Sequence, residues 1–391
     1  MQKFPSASQM DTAWRFVRDK LFYPPSGLIY DHAVKDRAEE FPSPEEIRRG
    51  YPNPCGYSTG MEDGMIHGAT MLDACLCRFA KKGDKETAEF ARDLLCGMLR
   101  TAESAEDGFI PRAVSPIDSK SYYTDSSRDQ YTMLFFALHR YLHSPLCTGE
   151  DRERIARVTA ATAYRAERNV RPETGYDMLR ADGGPTLVTT MWGDSLGNHE
   201  YLRLPMLYLT AWEAAGDPHF LDLYHAIREE AYEKSLPMTS YWHLYALQQM
   251  QASALICCEA DTDPLWKAKY LSLMHKVADY TAGKADWVRN NLRKHTLFNE
   301  PQCPFRECPA EPNTRYARLG VDCVSLSRRD ADTFFTMQDA ANLVIIQSMV
   351  PGRQADTASL RVFAEAFAQI DFSRHERAVP VHYLDAYYRS I

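Results

Sequence analysis

Residues 123–142 read YTDSSRDQYTMLFFALHRYL, and the two halves of this stretch differ in character. From Tyr131 onward, Leu134, Phe135, Leu138, Tyr141 and Leu142 recur at the 3.6-residue spacing of a buried helix, whereas Asp125, Arg128 and Asp129 crowd its first turn. Charges at the start of a helix that runs into an apolar interior either cap it or face something in common with other helix starts. Asp125, Ser126 and Ser127 suit the first role as N-cap groups. Asp129 lies past the cap region, just ahead of Tyr131, and suits the second.

The same periodicity predicts eleven further helices, making twelve over about 9–22, 64–82, 85–104, 127–143, 150–169, 198–215, 218–235, 242–258, 263–283, 334–350, 355–369 and 381–389. They alternate in kind. DKETAEFARDLLCGMLRTAES and EDRERIARVTAATAYRAERN carry one apolar stripe and a charged back, as helices with one wet face do. GMIHGATMLDACLCRF and TMQDAANLVIIQSMV are apolar or small nearly all round, as enclosed helices must be. The expected fold is all-α, an inner ring of six helices wrapped by an outer six, with no linker and one domain over 1–391. Short turns (KKGD, SPLCTGE, AAGD, CEADTD, PGRQ) join each inner helix to its outer partner. The long segments 23–63, 105–126, 170–197 and 284–333 therefore share the opposite face, where sites are usually built.

Composition narrows the function. The 391 residues are 45% hydrophobic, enough for a sizeable core. With 45 basic against 53 acidic residues, a formal charge of -8 and no basic run with interleaved aromatics, no nucleic-acid partner is expected. No stretch is long and apolar enough to span a membrane, and MQKFPSASQMDTAW lacks the apolar segment of a signal peptide, so a cytoplasmic location is expected unless an export signal has been removed. The ten cysteines mostly sit in apolar helical stretches like free thiols. Cys303, Cys308, Cys323 and His295 lack the paired spacing of a zinc site, so neither metal nor other cofactor is expected.

The amino ends of the inner helices should all emerge on the long-loop face, with their N–H groups and positive dipole ends directed at whatever lies in the mouth. Their starts supply Glu62, Asp63 and His67; Asp125, Arg128, Asp129 and Tyr131; Trp192, Asp194, His199 and Glu200; Tyr241, Trp242 and His243; then Asp332, Phe335 and Asp339. Aromatic rings beside carboxylates suit a sugar, whose C–H faces stack while its hydroxyls are shared with acids. Glycosidic cleavage needs an acid to protonate the leaving oxygen and usually a second carboxylate. Asp129 with Glu62 or Asp63 is the expected pair, with Asp194 and Asp339 in reserve. Arg112, Arg128 and Arg180 could clamp a sugar carboxylate, which would select uronic acids. His67 and His139, set in apolar helices, read more simply as core histidines.

With these features in place, the chain resembles the six-hairpin glycosidase superfamily, the (α/α)6-barrel enzymes, and most of all its uronic-acid-processing branch, which includes unsaturated glucuronyl and rhamnogalacturonyl hydrolases and β-glucuronidase-like proteins. RDQYTMLFFAL resembles the segment whose aspartate is general acid and base in the unsaturated hydrolases, which implies that role for Asp129; MEDGMIHGA offers Glu62 or Asp63 as the assisting acid. The RGNGW-like segment of those enzymes is absent, and WGDSLGNHEY is only loosely similar. The expected function is a cofactor-free glycoside hydrolase acting on uronic-acid-containing oligosaccharides, with His67, Arg112, Arg128, Tyr131, Trp192, His199, Tyr241, Trp242, His243 and Asp339, taken from the helix starts and loops, as the candidate substrate-binding residues. A histidine-based sugar epimerase or isomerase, a polysaccharide lyase and a non-catalytic carbohydrate-binding barrel are the alternatives.

Overall fold

Two of the predicted hairpins turn on a Gly-Asp pair. Gly83 and Gly216 adopt left-handed φ angles of 62° and 71°, which glycine takes without a Cβ penalty, and each ends a helix there. The aspartate that follows starts the next one: Asp84 accepts the N–H of Thr87 at 2.9 Å and Asp217 that of His219 at 3.0 Å. Stop and start signals in adjacent residues keep these turns short.

The computed structural model describes residues 4–238, 243–295, 298–327 and 331–390. Among them the α-helices are α1 (Ala7–Phe16), α2 (Pro44–Arg48), α3 (Gly64–Lys82), α4 (Lys85–Glu103), α5 (Arg128–Leu142), α6 (Gly149–Asn169), α7 (Arg203–Ala215), α8 (Pro218–Ser235), α9 (Tyr245–Ala260), α10 (Pro264–Ala282), α11 (Ala285–Leu292), α12 (Thr314–Ala317), α13 (Ala331–Ser348), α14 (Thr357–Phe367) and α15 (Pro380–Ser390). Strand is confined, among the described residues, to two antiparallel ribbons: β1 (Phe22–Tyr23) with β2 (Leu28–Ile29), and β3 (Ala310–Pro312) with β4 (Val324–Leu326). The fold is all-α. No described helix is long and apolar enough to cross a membrane.

Each predicted helix has a counterpart, most ends falling within about three residues of the expected ones, with two larger departures. The first passes into a π-helical turn, Val17–Leu21, after Phe16. The sixth begins at Arg203 rather than at residue 198, because the Glu200 carboxylate accepts the N–H of Gly197 at 2.8 Å and holds the preceding residues in turns. The helices α2, α11 and α12 lie inside the long loops and are too short for periodicity to reveal.

The apolar all-round helices touch one another in a closed sequence: α3 packs on α5, α5 on α7, α7 on α9, α9 on α13, α13 on α15, and α15 returns to α3. The striped helices lie against them, α4 on α3, α6 on α5 and α7, α8 on α7, α10 on α9 and α13, α14 on α13, and α1 on α15. Their burial follows the sequence: α9 is buried at every position from Ala246 to Cys257, whereas α4 buries a stripe that includes Phe90, Leu94, Leu95 and Met98.

A buried ion network straps α15 to α3 and α5. Arg389 donates to Asp73 and, at 2.8 Å, to Asp385, while Arg140 donates to Asp73 at 3.1 Å. Burial works to raise both carboxyls, but Arg389 and Arg140 hold Asp73 below the usual range, and Asp73's charge leaves Asp385 well above it. Asp73 thus keeps the charge and Asp385 the proton.

Candidate active site

A cavity of about 260 Å³ lies where the amino-terminal turns of α3, α5, α7, α9 and α13 converge. None of α3, α5, α7 and α9 receives a side-chain cap from its N-cap residue, whereas α4, α6, α8, α10 and α14 are all capped. The two sets of helices start by different chemistry. Those that start at the cavity leave their positive ends for groups in the cavity wall.

Asp63 stands just before α3, and the turn that carries it is fixed by Asp31, whose carboxylate accepts the backbone N–H groups of Glu62 and Asp63, each at 3.0 Å. The Asp63 carboxylate accepts Gln130 Nε2 at 3.0 Å and has Arg112 at 3.7 Å. Burial and then the negative charge of Asp31 raise its pKa, and they outweigh His67 and Arg112, which pull it down. Asp129 is the opposite case. Burial would raise it, but Arg203, which donates to Oδ1, and Arg128 together hold it below the ordinary aspartate value. Each side chain remains 26% exposed, to the cavity both line. One carboxyl tends to keep its proton and the other to lose it.

Four arginines reach this cavity. Arg112 is buried, donating to the Glu62 carbonyl and the Tyr57 hydroxyl, both at 2.9 Å. Arg128 donates to Glu200, and Arg203 is committed to Asp129. Arg315, on exposed α12, takes no acidic partner among the described residues. Tyr57, Tyr245 and Phe335 add ring faces, and Gln248, Gln249 and Gln338 add amides. His199 also lines the wall; burial, then Arg203, lower its pKa to about 4, so it is neutral near pH 7.

Of the residues selected from sequence, Glu62, Asp63, His67, Arg112, Arg128, Asp129 and His199 come together here. Glu62 shares its carboxylate with the Ser58 N–H, which ties it into the loop, and it also lines a smaller adjoining cavity of about 120 Å³ with Asp31, Gln302 and Arg377. The others lie elsewhere. Asp194 is 99% exposed and pairs with Lys234 at 3.2 Å, because its loop turns outward before Glu200 returns to the wall. Tyr131 is fully buried and accepts the Ile110 N–H at 3.4 Å; Trp192 packs edge-on against Tyr201. His243 Nδ1 meets Asp339 Oδ2 at 2.8 Å, behind the Phe335 ring that faces the cavity. Tyr241 and Trp242 lie outside the described residues, as does the side chain of Asp332. Asp125 caps nothing: it accepts the Tyr316 hydroxyl and the Ser126 N–H, and Ser127 serves as N-cap of α5 without a side-chain bond. Arg180 pairs with Asp182, away from the cavity.

Sequence reading missed Arg203, Tyr245, Gln248, Gln249, Gln338, Tyr57 and Arg315 as site residues, and left Glu200 without a role. A signal existed for some. Gln249 is four residues after Tyr245, the spacing that puts two side chains on one face of a helix, and Arg203 is an isolated charge at the largely apolar start of α7.

Asp31, Asp63 and His67 bring three donor atoms within 4.8 Å of one another. Both oxygens of Asp31 already accept backbone N–H groups, so Asp31 serves as a hydrogen-bonded support for the α3 turn, with His67 Nε2 in contact at 3.3 Å. Comparison with protein-family models finds no match, and comparison with curated proteins finds no relative.

Proposed function

We propose that the chain is an (α/α)6-barrel glycoside hydrolase that cleaves uronic-acid-containing oligosaccharides, with Asp63 as proton donor and Asp129 as the ionised carboxylate. The closed sequence of six enclosed helices, each but one leading through a short turn to a striped partner, supports the barrel. One observation carries the chemistry: two carboxyl groups line a single cavity with their proton affinities pushed in opposite directions, the condition that separates an acid from a base at the same pH.

On a saturated uronide, Asp63 gives its proton to the glycosidic oxygen as that bond breaks, and Asp129 activates water or attacks the anomeric carbon. On an unsaturated uronide the same proton goes to the vinyl ether and Asp129 directs the water. The assignment reverses the division of labour that the family resemblance implies, since Asp129 is held as a base by Arg203. Gln130, next to Asp129 on α5, ties the two carboxyls together through its bond to Asp63. Tyr57, Tyr245 and Phe335 offer faces for the sugar ring, and Arg315, with no acidic partner among the described residues, suits the sugar carboxylate.

The test is turnover on a panel of saturated and unsaturated uronides, followed by release of reducing ends and by loss of ultraviolet absorbance. Asp63→Asn and Asp129→Asn should each lose about 100-fold or more in kcat with unchanged circular dichroism. Undiminished turnover in either variant overturns the assignment. The His243–Asp339 pair, an imidazole oriented by a carboxylate one ring away from the cavity, favours an epimerase as the second reading. That reading gains if His243→Ala abolishes activity while Asp129→Asn retains it.

A further inference from the structure

At the other end of these helices, away from the cavity, α5, α7 and α9 finish close together. His139 in the last turn of α5 and His143 at its C-cap are four residues apart, on one helical face. Glu213 in the last turn of α7 reaches both: its Oε2 is 2.9 Å from His139 Nε2 and 3.3 Å from His143 Nε2. The three donor atoms lie within 4.8 Å of one another.

The contact with His139 is short, and against burial it and His143 hold the Glu213 carboxyl low, but the His139 N–H is poorly aligned for a hydrogen bond. This side chain is 1% exposed, yet neither ring nitrogen has a hydrogen-bond partner, although Nε2 is near one carboxylate and Nδ1 lies 3.7 Å from another, Glu259 on α9. A buried imidazole that meets a carboxylate off its N–H axis is poorly served as a donor, and its Nε2 lies close to two other atoms of metal-ligating type.

We infer that His139, His143 and Glu213 form a binding site for a divalent transition-metal ion of the zinc class, with water completing the coordination. Two imidazoles and one carboxylate are a donor set that zinc accepts with an open position, whereas calcium and magnesium prefer all-oxygen sites. Ligands at about 2.0–2.1 Å in a tetrahedron stand about 3.3 Å apart, close to the spacings to Glu213 Oε2. Glu259 faces the opposite nitrogen of His139, where a second carboxylate orients many metal-binding histidines. Three helix carboxyl ends, each the negative end of its dipole, surround the position. The neighbouring cation, Arg140, is drawn aside by Asp73 at 3.1 Å and Glu259 at 3.8 Å. His143, 52% exposed, leaves a path from solvent. The ion would clamp α5 to α7 where the site cavity does not reach, so its role is structural.

The experiment is calorimetric titration of the chelator-treated full chain with Zn²⁺, beside His143→Ala and Glu213→Gln. The wild type should bind one ion that raises its thermal midpoint, and each variant should bind at least about tenfold more weakly and lose that rise. Because His143 is half exposed, its alanine variant should melt like the metal-free wild type. The ten free cysteines offer a rival destination, so Co²⁺ is the second probe: the site requires a spectrum without thiolate-to-metal charge transfer. Binding that is absent, unchanged in both variants, or carried by thiolate overturns the inference.

Discussion

Replacing Arg203 with glutamine should move the protonation of Asp129 upward without touching the carboxylate itself. Arg203 is 1% exposed and donates directly to Asp129 Oδ1, while burial pushes the same carboxyl the other way. Opposite unit charges about 4 Å apart at an effective dielectric constant of about 20 attract by about 4 kcal/mol, roughly 3 pH units at most. Arg128 remains, so the expected rise is about 1 to 3 pH units, the span seen for aspartates beside arginine. In the wild type, the pairing contributes stability above the unfolded aspartate pKa of about 3.9 and loses it as pH falls through the lower folded value. The variant gives up that contribution. Aspartate carboxyl ¹³C resonances, with Asp129 assigned by its asparagine variant, report the midpoint without any substrate. The acid limb of kcat should move to higher pH by the same amount. A midpoint within a few tenths of wild type would refute the claim that Arg203 sets the charge of Asp129.

Other expectations are more quickly checked. Because Asp63 is raised and Asp129 lowered, kcat/KM should be bell-shaped, falling below the ordinary carboxylate range as Asp129 gains a proton and above it as Asp63 loses one; a single-limbed profile would contradict the pairing. Arg315→Ala should raise KM for uronides by about 10- to 100-fold with kcat and melting unchanged, and should leave neutral glycosides unaffected, as measured by steady-state kinetics. Arg389→Met leaves Asp73 buried without its closest cation and should cost about 3–5 kcal/mol in chemical denaturation. His375, 4% exposed, has its pKa lowered to about 4, chiefly by burial. Its unfolded form binds a proton first, so stability should be intact above about pH 6.5 and fall by about 3 kcal/mol towards pH 4, a loss that His375→Gln should lessen.

Much of the fold was legible because helix periodicity and the contrast between striped and all-round apolar segments survive in a single sequence. The polar starts of α3 and α5 were legible for the same reason: Asp63, His67, Arg128 and Asp129 interrupt segments that are otherwise apolar. Direction within loops was not. Nothing in WGDSLGNHEY says that Asp194 turns to solvent while Glu200 turns back, since that depends on the bonds Glu200 makes with Gly197 and Arg128. Arg315 belongs to a four-residue helix between two short strands, where no period exists to read. His243 and Asp339 each looked like a site residue alone; their pairing across 95 intervening positions cancels part of the polarity that made them conspicuous.

The strap from Arg389 to Asp73 joins residues 316 positions apart. During synthesis α3 emerges early, yet the helix that covers one of its sides follows some 300 residues later, and contacts of such separation form slowly. A nascent chain short of α15 therefore leaves an apolar flank of α3 bare while all the helices between them are made. Chaperone demand should be set by this last closure rather than by any one hairpin, and variants that weaken the strap should show their defect first as aggregation during expression, ahead of any loss in the purified protein.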